Sequence, residues 1–221
     1  MKHGDVVYID YVARIKDTNE IFDLTIEEIA KKEGIYNPNY IYKPIPVVVG
    51  FGFVIKGLDE ELERMNEGEE KEFEVQPEKA FGKRDENLVK TFNISDFKRQ
   101  DVEPRVGEYI TINGVLGKVL SVSGGRVTID FNHPLAGKTL VYRVKVVKKA
   151  ENELEKVKAV LEFFTKKSED YEVKEDKDSD AIIIVDKNIA LTPEQKKSLF
   201  DVISKIIEKK RIIFMNILEK K

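Results

Sequence analysis

The stretch VVVGFGFVIKGLDEELERMNEGE, residues 47–69, decides how the rest of the chain is read. Its first three residues, Val47–Val49, are β-branched and favour extended backbone, so with Pro46 and the GFGF that follows they predict a strand over 46–53 punctuated by Gly50 and Gly52. From Val54 the pattern changes. Leu58, Leu62 and Met65 recur at helical spacing between charged residues, which predicts an amphipathic helix with Gly68 as its C-cap.

On the N-terminal side, VVYIDYVARI (6–15) is β-branched and aromatic and predicts a long strand of an antiparallel sheet. Asp17, Thr18 and Asn19 make a turn, and Ile21 and Phe22 resume extended chain just before Asp23. A short helix is expected over Leu24–Lys32, with Thr25 at the N-cap and Glu28 completing a capping box, ended by Gly34. Tyr36 to Pro46 carries three tyrosines and three prolines and is expected to be an irregular loop.

On the C-terminal side, KEFEVQ (71–76) alternates charged and apolar residues as a half-exposed strand does. Residues 84 to about 132 carry strands of their own (EYITI, LGKVLSV, GRVTIDF), a short helix near Ser95 and a two-residue hairpin signal at Gly124-Gly125, which suggests a small β-rich domain. KTLVYRVKVV (138–147) is again a strand, expected to pair with those of the first domain. After Lys149, Leu154, Val157, Val160, Leu161 and Phe164 fall at helical spacing, and a domain boundary is placed near Ala150. YEVKE and AIIIVD follow as strands joined by DKDSD, then a helix opening on the capping box Thr192-Pro193-Glu194-Gln195 and running to about Lys210, then a last strand RIIFMNIL (211–218).

Composition limits the chemistry. With 38 basic and 41 acidic residues the formal charge is −3, so no global positive field exists to hold nucleic acid or an anionic membrane. No stretch approaches the roughly 18 apolar residues of a membrane span. Without an apolar signal region at the start, the cytoplasm is the expected location. A charged fraction of 36% together with the absence of Cys and Trp fits a protein working at high temperature.

The absence of cysteine excludes disulfides and thiol chemistry, and His3 and His133 stand apart from any serine motif. No metal site is expected: neither histidine has ligand spacing, and DKDSD lacks the glycine and terminal glutamate of a calcium loop. Gly50-Phe51-Gly52 has no third glycine and no surrounding βαβ unit, so no dinucleotide is expected and no cofactor is assigned.

What stands out is a series of aromatic and branched apolar residues beside one carboxylate: Tyr11, Phe22-Asp23, Val54-Ile55, Leu58, Ala80-Phe81-Gly82 and Tyr142. Taken in order, IDYVARI, EIFDLT, GFVIKGLDEEL, EKAFGKRDENLV and FNHPLAGKTLVYRVKVV resemble the FKBP family of peptidyl-prolyl cis-trans isomerases. The likeness is to its SlyD-like branch with a domain inserted in the flap, in a long archaeal-type form with an extra C-terminal domain. It covers nearly all of residues 1–149.

The resemblance implies an α+β fold, an FKBP-like twisted antiparallel half-barrel sheet around a short helix (Gly57–Met65). The isomerase domain would be 1–84 with 132–149, the inserted chaperone domain 85–131, and 150–221 a C-terminal α-β-β-α-β domain through which a homodimer could form. By the same resemblance Tyr11, Phe22, Asp23, Val54, Ile55, Leu58, Phe81 and Tyr142 line a prolyl pocket with Leu135 at its lip, and the Ile55 amide holds a peptide carbonyl. Phe92, Phe97, Val115 and Leu116 are candidates for exposed apolar contacts in the insert. The partners implied are unfolded or partly folded polypeptides.

Two departures qualify it. Most members carry tyrosine where this chain has Phe81, which removes a hydroxyl donor to ligand, and Leu58 replaces an aromatic pocket floor. The function expected is isomerisation of X–Pro bonds by desolvation and stabilisation of the twisted amide, joined to a folding-chaperone role. The alternative is a holdase or peptide-binding module with weak turnover.

Overall fold

A computed structural model describes residues 1–187 and 190–216. Along the chain run β1 (Val6–Ile15), β2 (Ile21–Leu24), α1 (Glu27–Lys32), β3 (Ile45–Val48), α2 (Lys56–Leu62), β4 (Glu70–Val75), β5 (Val89–Asn93), α3 (Ile94–Lys98), β6 (Tyr109–Ile112), β7 (Val115–Ser123), β8 (Arg126–Asp130) and β9 (Leu140–Lys149). The described chain continues through α4 (Glu153–Thr165), β10 (Tyr171–Asp176), β11 (Ala181–Asp186), α5 (Pro193–Ile206) and β12 (Arg211–Asn216). It is a mixed α and β structure that divides into two compact units, one of Met1–Val75 with Leu140 onward, the other Gln76–Thr139.

The first unit is built on β1, the strand with the most partners. β9 pairs antiparallel along almost its whole length, while its other edge is shared, β3 taking Val6–Ile9 and β2 taking Val12–Arg14. β4 completes the sheet on the far side of β9, giving the order β2-β1-β9-β4. Alternation in β9 sends Leu140, Tyr142, Val144 and Val146 inward and Arg143 and Lys145 outward. Leu58, Leu62 and Met65 are at most 2% exposed, each burial contributing about 1.5–3 kcal/mol.

Three local expectations are corrected. Thr25 does not cap α1: the N-cap is Ile26, without a side-chain bond, because the Thr25 hydroxyl is taken by the Tyr11 N–H (2.9 Å) and by Asp10 Oδ1 (2.7 Å). The strand expected over 46–53 stops at Val48, since Gly50 and Gly52 adopt φ of 82° and 69° and turn the chain. Gly68 is not a helix cap either; α2 ends at Leu62, and the Gly68 N–H donates to the Val146 carbonyl in the turn before β4. Gly34 does end α1, in a Schellman arrangement in which the Ile35 N–H reaches Ala30 O and the Gly34 N–H reaches Lys31 O.

β10, β11 and β12 form a sheet of their own, antiparallel between the first two and parallel between the last two. The expected capping box opens α5, Thr192 and Gln195 exchanging side-chain-to-backbone bonds of 3.2 and 2.9 Å, but the helix ends at Ile206 rather than near Lys210. Of the strand expected at 211–218, Ile217 and Leu218 lie outside the described residues. Val157, Val160, Leu161, Leu199 and Ile203 share one apolar cluster with Val6 and Val48, so the C-terminal helices and the first sheet bury a common core.

In the second unit β5-β8-β7-β6 form an antiparallel sheet. Two hairpin turns shape it: Gly124-Gly125 as expected, and Asn113-Gly114 between β6 and β7, both with two successive residues at positive φ. No strand was expected at Val89–Asn93, yet β5 pairs with β8 there. Phe97, Val119, Val127 and Ile129 are the core, with Phe92, Ile110, Ile112 and Phe131 packed against it.

Candidate functional site

Tyr11 points from β1 toward Asp23 on β2, because the antiparallel register sets Ala13 opposite Asp23. The Tyr11 hydroxyl donates to Asp23 Oδ2 at 2.6 Å, a short charge-assisted bond, and the Tyr40 hydroxyl donates to Oδ1 at 3.4 Å. Tyr142, on β9, lies 5.9 Å from the Tyr11 ring and 6.1 Å edge-on from Phe22, and Phe73 of β4 stacks on its other neighbourhood at 6.3 Å. Tyr11 and Tyr142 are both at most 7% exposed. Burial, reinforced by the Asp23 charge, pushes both phenols well above the ordinary tyrosine value, so they remain protonated donors.

The next residues that the family resemblance implies lie at the turn into α2. Ile55 is the N-cap, and its carbonyl accepts the Leu58 and Asp59 amides at 3.0 Å. The Ile55 N–H makes no hydrogen bond within the described residues. Val54 and Ile55 are half-buried and Leu58 is buried.

A residue the sequence reading passed over holds this turn. Asp59, 8% exposed, accepts from the Gly50 N–H at 2.8 Å and the Gly52 N–H at 3.1 Å, one with each carboxylate oxygen. Gly50 is favoured by its positive φ, and a Cβ there would come within 2.0 Å of His3 Nδ1, so the exposed imidazole would have to move. Phe53, two residues before Ile55, packs on Phe163 at 4.3 Å and Phe164 at 5.9 Å from the end of α4.

Tyr11, Phe22, Asp23 and Tyr142 are thus brought together, while Val54, Ile55 and Leu58 are grouped at the start of α2 in the same unit. Phe81 and Leu135 belong to the second unit. There the Phe81 ring stacks on His133 at 4.4 Å, and the His133 Nδ1 accepts the Leu135 N–H at 3.1 Å. Val115 and Leu116 are 54% and 59% exposed. Phe97, also expected to be exposed, is buried, and Phe92 is half-buried against it, because the short α3 turns its apolar side onto the sheet. Among the described residues no helix is long and apolar enough to cross a membrane.

A family model described as "FKBP26, IF domain" matches residues 90–135. The chain is 41% identical over 155 residues to the short-type peptidyl-prolyl cis-trans isomerase of Methanocaldococcus jannaschii, covering 69% of this chain and 98% of that one. The chain belongs to the FKBP-type peptidyl-prolyl cis-trans isomerases. Other relatives of this enzyme are the FKBP-type 16 kDa peptidyl-prolyl cis-trans isomerase of Escherichia coli, 28% identical across 48% of this chain and 73% of the relative, and the SlyD isomerase of Helicobacter pylori, 25% identical across 63% and 69%. Of solved structures, the three FKBP domains of wheat FKBP73 align with 68% of the enzyme and 40% of that chain at 16% identity and a TM-score of 0.36.

Proposed function

We propose that the enzyme isomerises X–Pro bonds in unfolded or partly folded polypeptides, with the prolyl ring held by Tyr11, Phe22, Asp23, Val54, Ile55, Leu58 and Tyr142. The observation that carries this reading is the Tyr11–Asp23 bond of 2.6 Å set among the rings of Phe22, Phe73 and Tyr142. Rotation about the amide faces a barrier of about 18–20 kcal/mol because the planar form is resonance-stabilised. No bond breaks, so a catalyst has only to favour the twisted amide over both planar forms. The twisted form carries less charge separation, and an apolar surround favours it over the planar ones. The free Ile55 N–H is suited to hold a substrate carbonyl, and Asp23, spanned by two phenols, orients the aromatic wall rather than exchanging a proton.

The sheet of the first unit with α2 is read as the family's twisted half-barrel around its helix. The part of Phe81 and Leu135 in substrate binding is proposed on family resemblance alone. Residues 85–131 are proposed to act as a chaperone domain that captures extended segments by strand addition, with exposed Val115 and Leu116 as apolar contacts. The C-terminal segment, 150–221, offers β12 as a sheet edge that could pair between two copies; light scattering of the full chain tests this.

The deciding experiment is a protease-coupled assay on short X–Pro peptides with wild type, Phe22→Ala and Asp23→Ala. Both variants should slow isomerisation while remaining folded; unchanged rates in both would remove the pocket assignment. The exposed apolar residues of the insert favour a second reading, a holdase with weak turnover. Replacing 87–130 by a short turn separates the two. An isomerase with a capture domain keeps peptide turnover and loses most catalysis of protein refolding, whereas a holdase shows little turnover from the start.

A further inference from the structure

The antiparallel registers set Asp23 of β2, Ala13 of β1, Tyr142 of β9 and Phe73 of β4 in one row across the first sheet. Partners across a ladder present their side chains to the same face. Tyr142 is 5% exposed, and three rings surround it: Phe73 stacked at 6.3 Å, Phe22 edge-on at 6.1 Å and Tyr11 at 5.9 Å. Its ring is therefore fixed on several sides. Its hydroxyl is not.

The nearby carboxylate is already spoken for, since Asp23 accepts from Tyr11 with one oxygen and from Tyr40 with the other. Among the described residues the Tyr142 hydroxyl has no hydrogen-bond partner at all. Nor is it sealed away. Among those residues Asp186 Oδ1 is the one side-chain polar atom that is both shut from solvent and unpaired, so the Tyr142 oxygen keeps an opening to solvent. A tyrosine buried to this degree normally pairs its hydroxyl, because leaving a polar group without a partner is costly. An unpaired donor at an opening is one that an incoming group can satisfy.

We infer that the Tyr142 hydroxyl is a catalytic donor, which hydrogen-bonds the prolyl nitrogen of the substrate in the twisted state. The inference rests on the isomerase reading and gives one of its residues a chemical role. In the planar amide the nitrogen lone pair is delocalised into the carbonyl, so that nitrogen accepts poorly. Rotation confines the lone pair to nitrogen and makes it an acceptor. A donor aimed there meets the twisted amide and neither planar form, which is the differential that lowers a barrier. A donor to the carbonyl oxygen has no such preference, because that oxygen accepts in the planar forms as well. The surrounding rings strengthen the bond by keeping water out. No proton is transferred; burial, reinforced by the Asp23 charge, keeps the phenol protonated.

The test compares wild type with Tyr142→Phe, which deletes the one oxygen, and with Tyr142→Leu, which deletes the ring as well. Because the hydroxyl has no partner in the protein, Tyr142→Phe should melt as wild type does. Rates on short X–Pro peptides, taken across substrate concentrations, separate kcat from KM. An interaction made only in the twisted state appears in kcat, so Tyr142→Phe should lower kcat by about three- to tenfold, the worth of one neutral hydrogen bond, and leave KM within about twofold. Tyr142→Leu should raise KM in addition, through the lost ring contact. If wild type accelerates the peptides and Tyr142→Phe keeps kcat within about twofold, or shows its whole loss in KM, the donor role is overturned and the isomerase reading stands. If wild type accelerates none of them, both fall.

Discussion

Replacing Asp59 by alanine removes a side chain that ties the Gly50–Gly52 turn to α2 through both glycine amides. The carboxylate accepts one bond from each glycine N–H and is itself 8% exposed. Hydrogen bonds to a charged acceptor contribute about 1.5–3 kcal/mol each. Gly50 and Gly52 are exposed, so water can rehydrate their freed N–H groups and the lower figure applies. Two bonds then amount to about 3 kcal/mol in Asp59→Ala and roughly half that in Asp59→Asn, whose neutral carbonyl accepts more weakly.

For a chain of 221 residues such a loss lowers the melting point by about 6–12 °C in the alanine variant. The transition is followed by near-ultraviolet tyrosine dichroism, which reports the first unit because every tyrosine except Tyr109 lies there. Hydrogen exchange at Gly50 and Gly52 should accelerate in parallel. Because the turn leads directly to Val54 and Ile55, peptide turnover below the melting transition should fall on the order of tenfold through misplacement of the pocket. A stability change under about 0.5 kcal/mol, the range of ordinary surface substitutions, with exchange at both glycines unaltered, would refute the reasoning.

Three further outcomes follow from contacts elsewhere. Gly117→Ala sets a Cβ 2.5 Å from Ile129 Cγ2 and 2.8 Å from the Phe131 ring, and overpacking of this kind should destabilise the second unit by about 1–3 kcal/mol in denaturant titration. Burial opposes ionisation of Asp130, but bonds from Asn132 and the two-pronged Arg84 pair outweigh it and hold the pKa below the usual carboxylate value. The unfolded state therefore takes up the proton more readily. Stability from this group is present above the unfolded pKa and lost as pH falls below about 4 through the folded one, a dependence that Asp130→Asn should flatten in melts of the second unit. Glu162→Ala frees Lys43 and the Tyr8 hydroxyl together, and should speed exchange at the Asn39 and Tyr40 amides, whereas no change there would detach α4 from the tyrosine segment.

How much of this was legible in the sequence depended on whether a signal was local. Thr192 and Thr25 make the comparison directly: both precede an acid or amide at the third following position, and only the first forms the capping box. Thr192 has no rival for its hydroxyl at the mouth of α5. Thr25 faces β1, where the Tyr11 amide and the Asp10 carboxylate claim the same oxygen, so tertiary structure overrides a sound local pattern. KTLVYRVKVV reads correctly as a strand that pairs with those of the first sheet, because its β-branched and aromatic residues favour extended backbone whatever lies around them. Asp59 was illegible for the opposite reason: in GLDEEL it is one acid of three, and only the fold back of Gly50 and Gly52 distinguishes it. Phe97 likewise could not be placed, since one turn of helix has no periodicity long enough to say which side is covered.

The C-terminal segment shows how a part without chemistry of its own can matter to a site. Its last turn of α4 presents three consecutive residues to the first sheet. Glu162 holds Lys43 and the Tyr8 hydroxyl, Phe163 and Phe164 clasp Phe53, and Lys148 lies over the opposite partner Tyr8 at 4.5 Å. Lys43 ends the segment that carries Tyr36, Tyr40 and Tyr42, and Phe53 immediately precedes Val54 and Ile55. One helix end therefore touches both irregular stretches that carry or touch residues of the proposed pocket, the tyrosine segment through Lys43 and the turn before α2 through Phe53. Glycines at positive φ and a tyrosine-rich loop would otherwise sample many conformations, and each restriction made before substrate arrives is one that binding no longer has to impose. On this argument the segment contributes preorganisation, and its removal would both expose Val6 and Val48 of the shared core and loosen the walls of the proposed pocket.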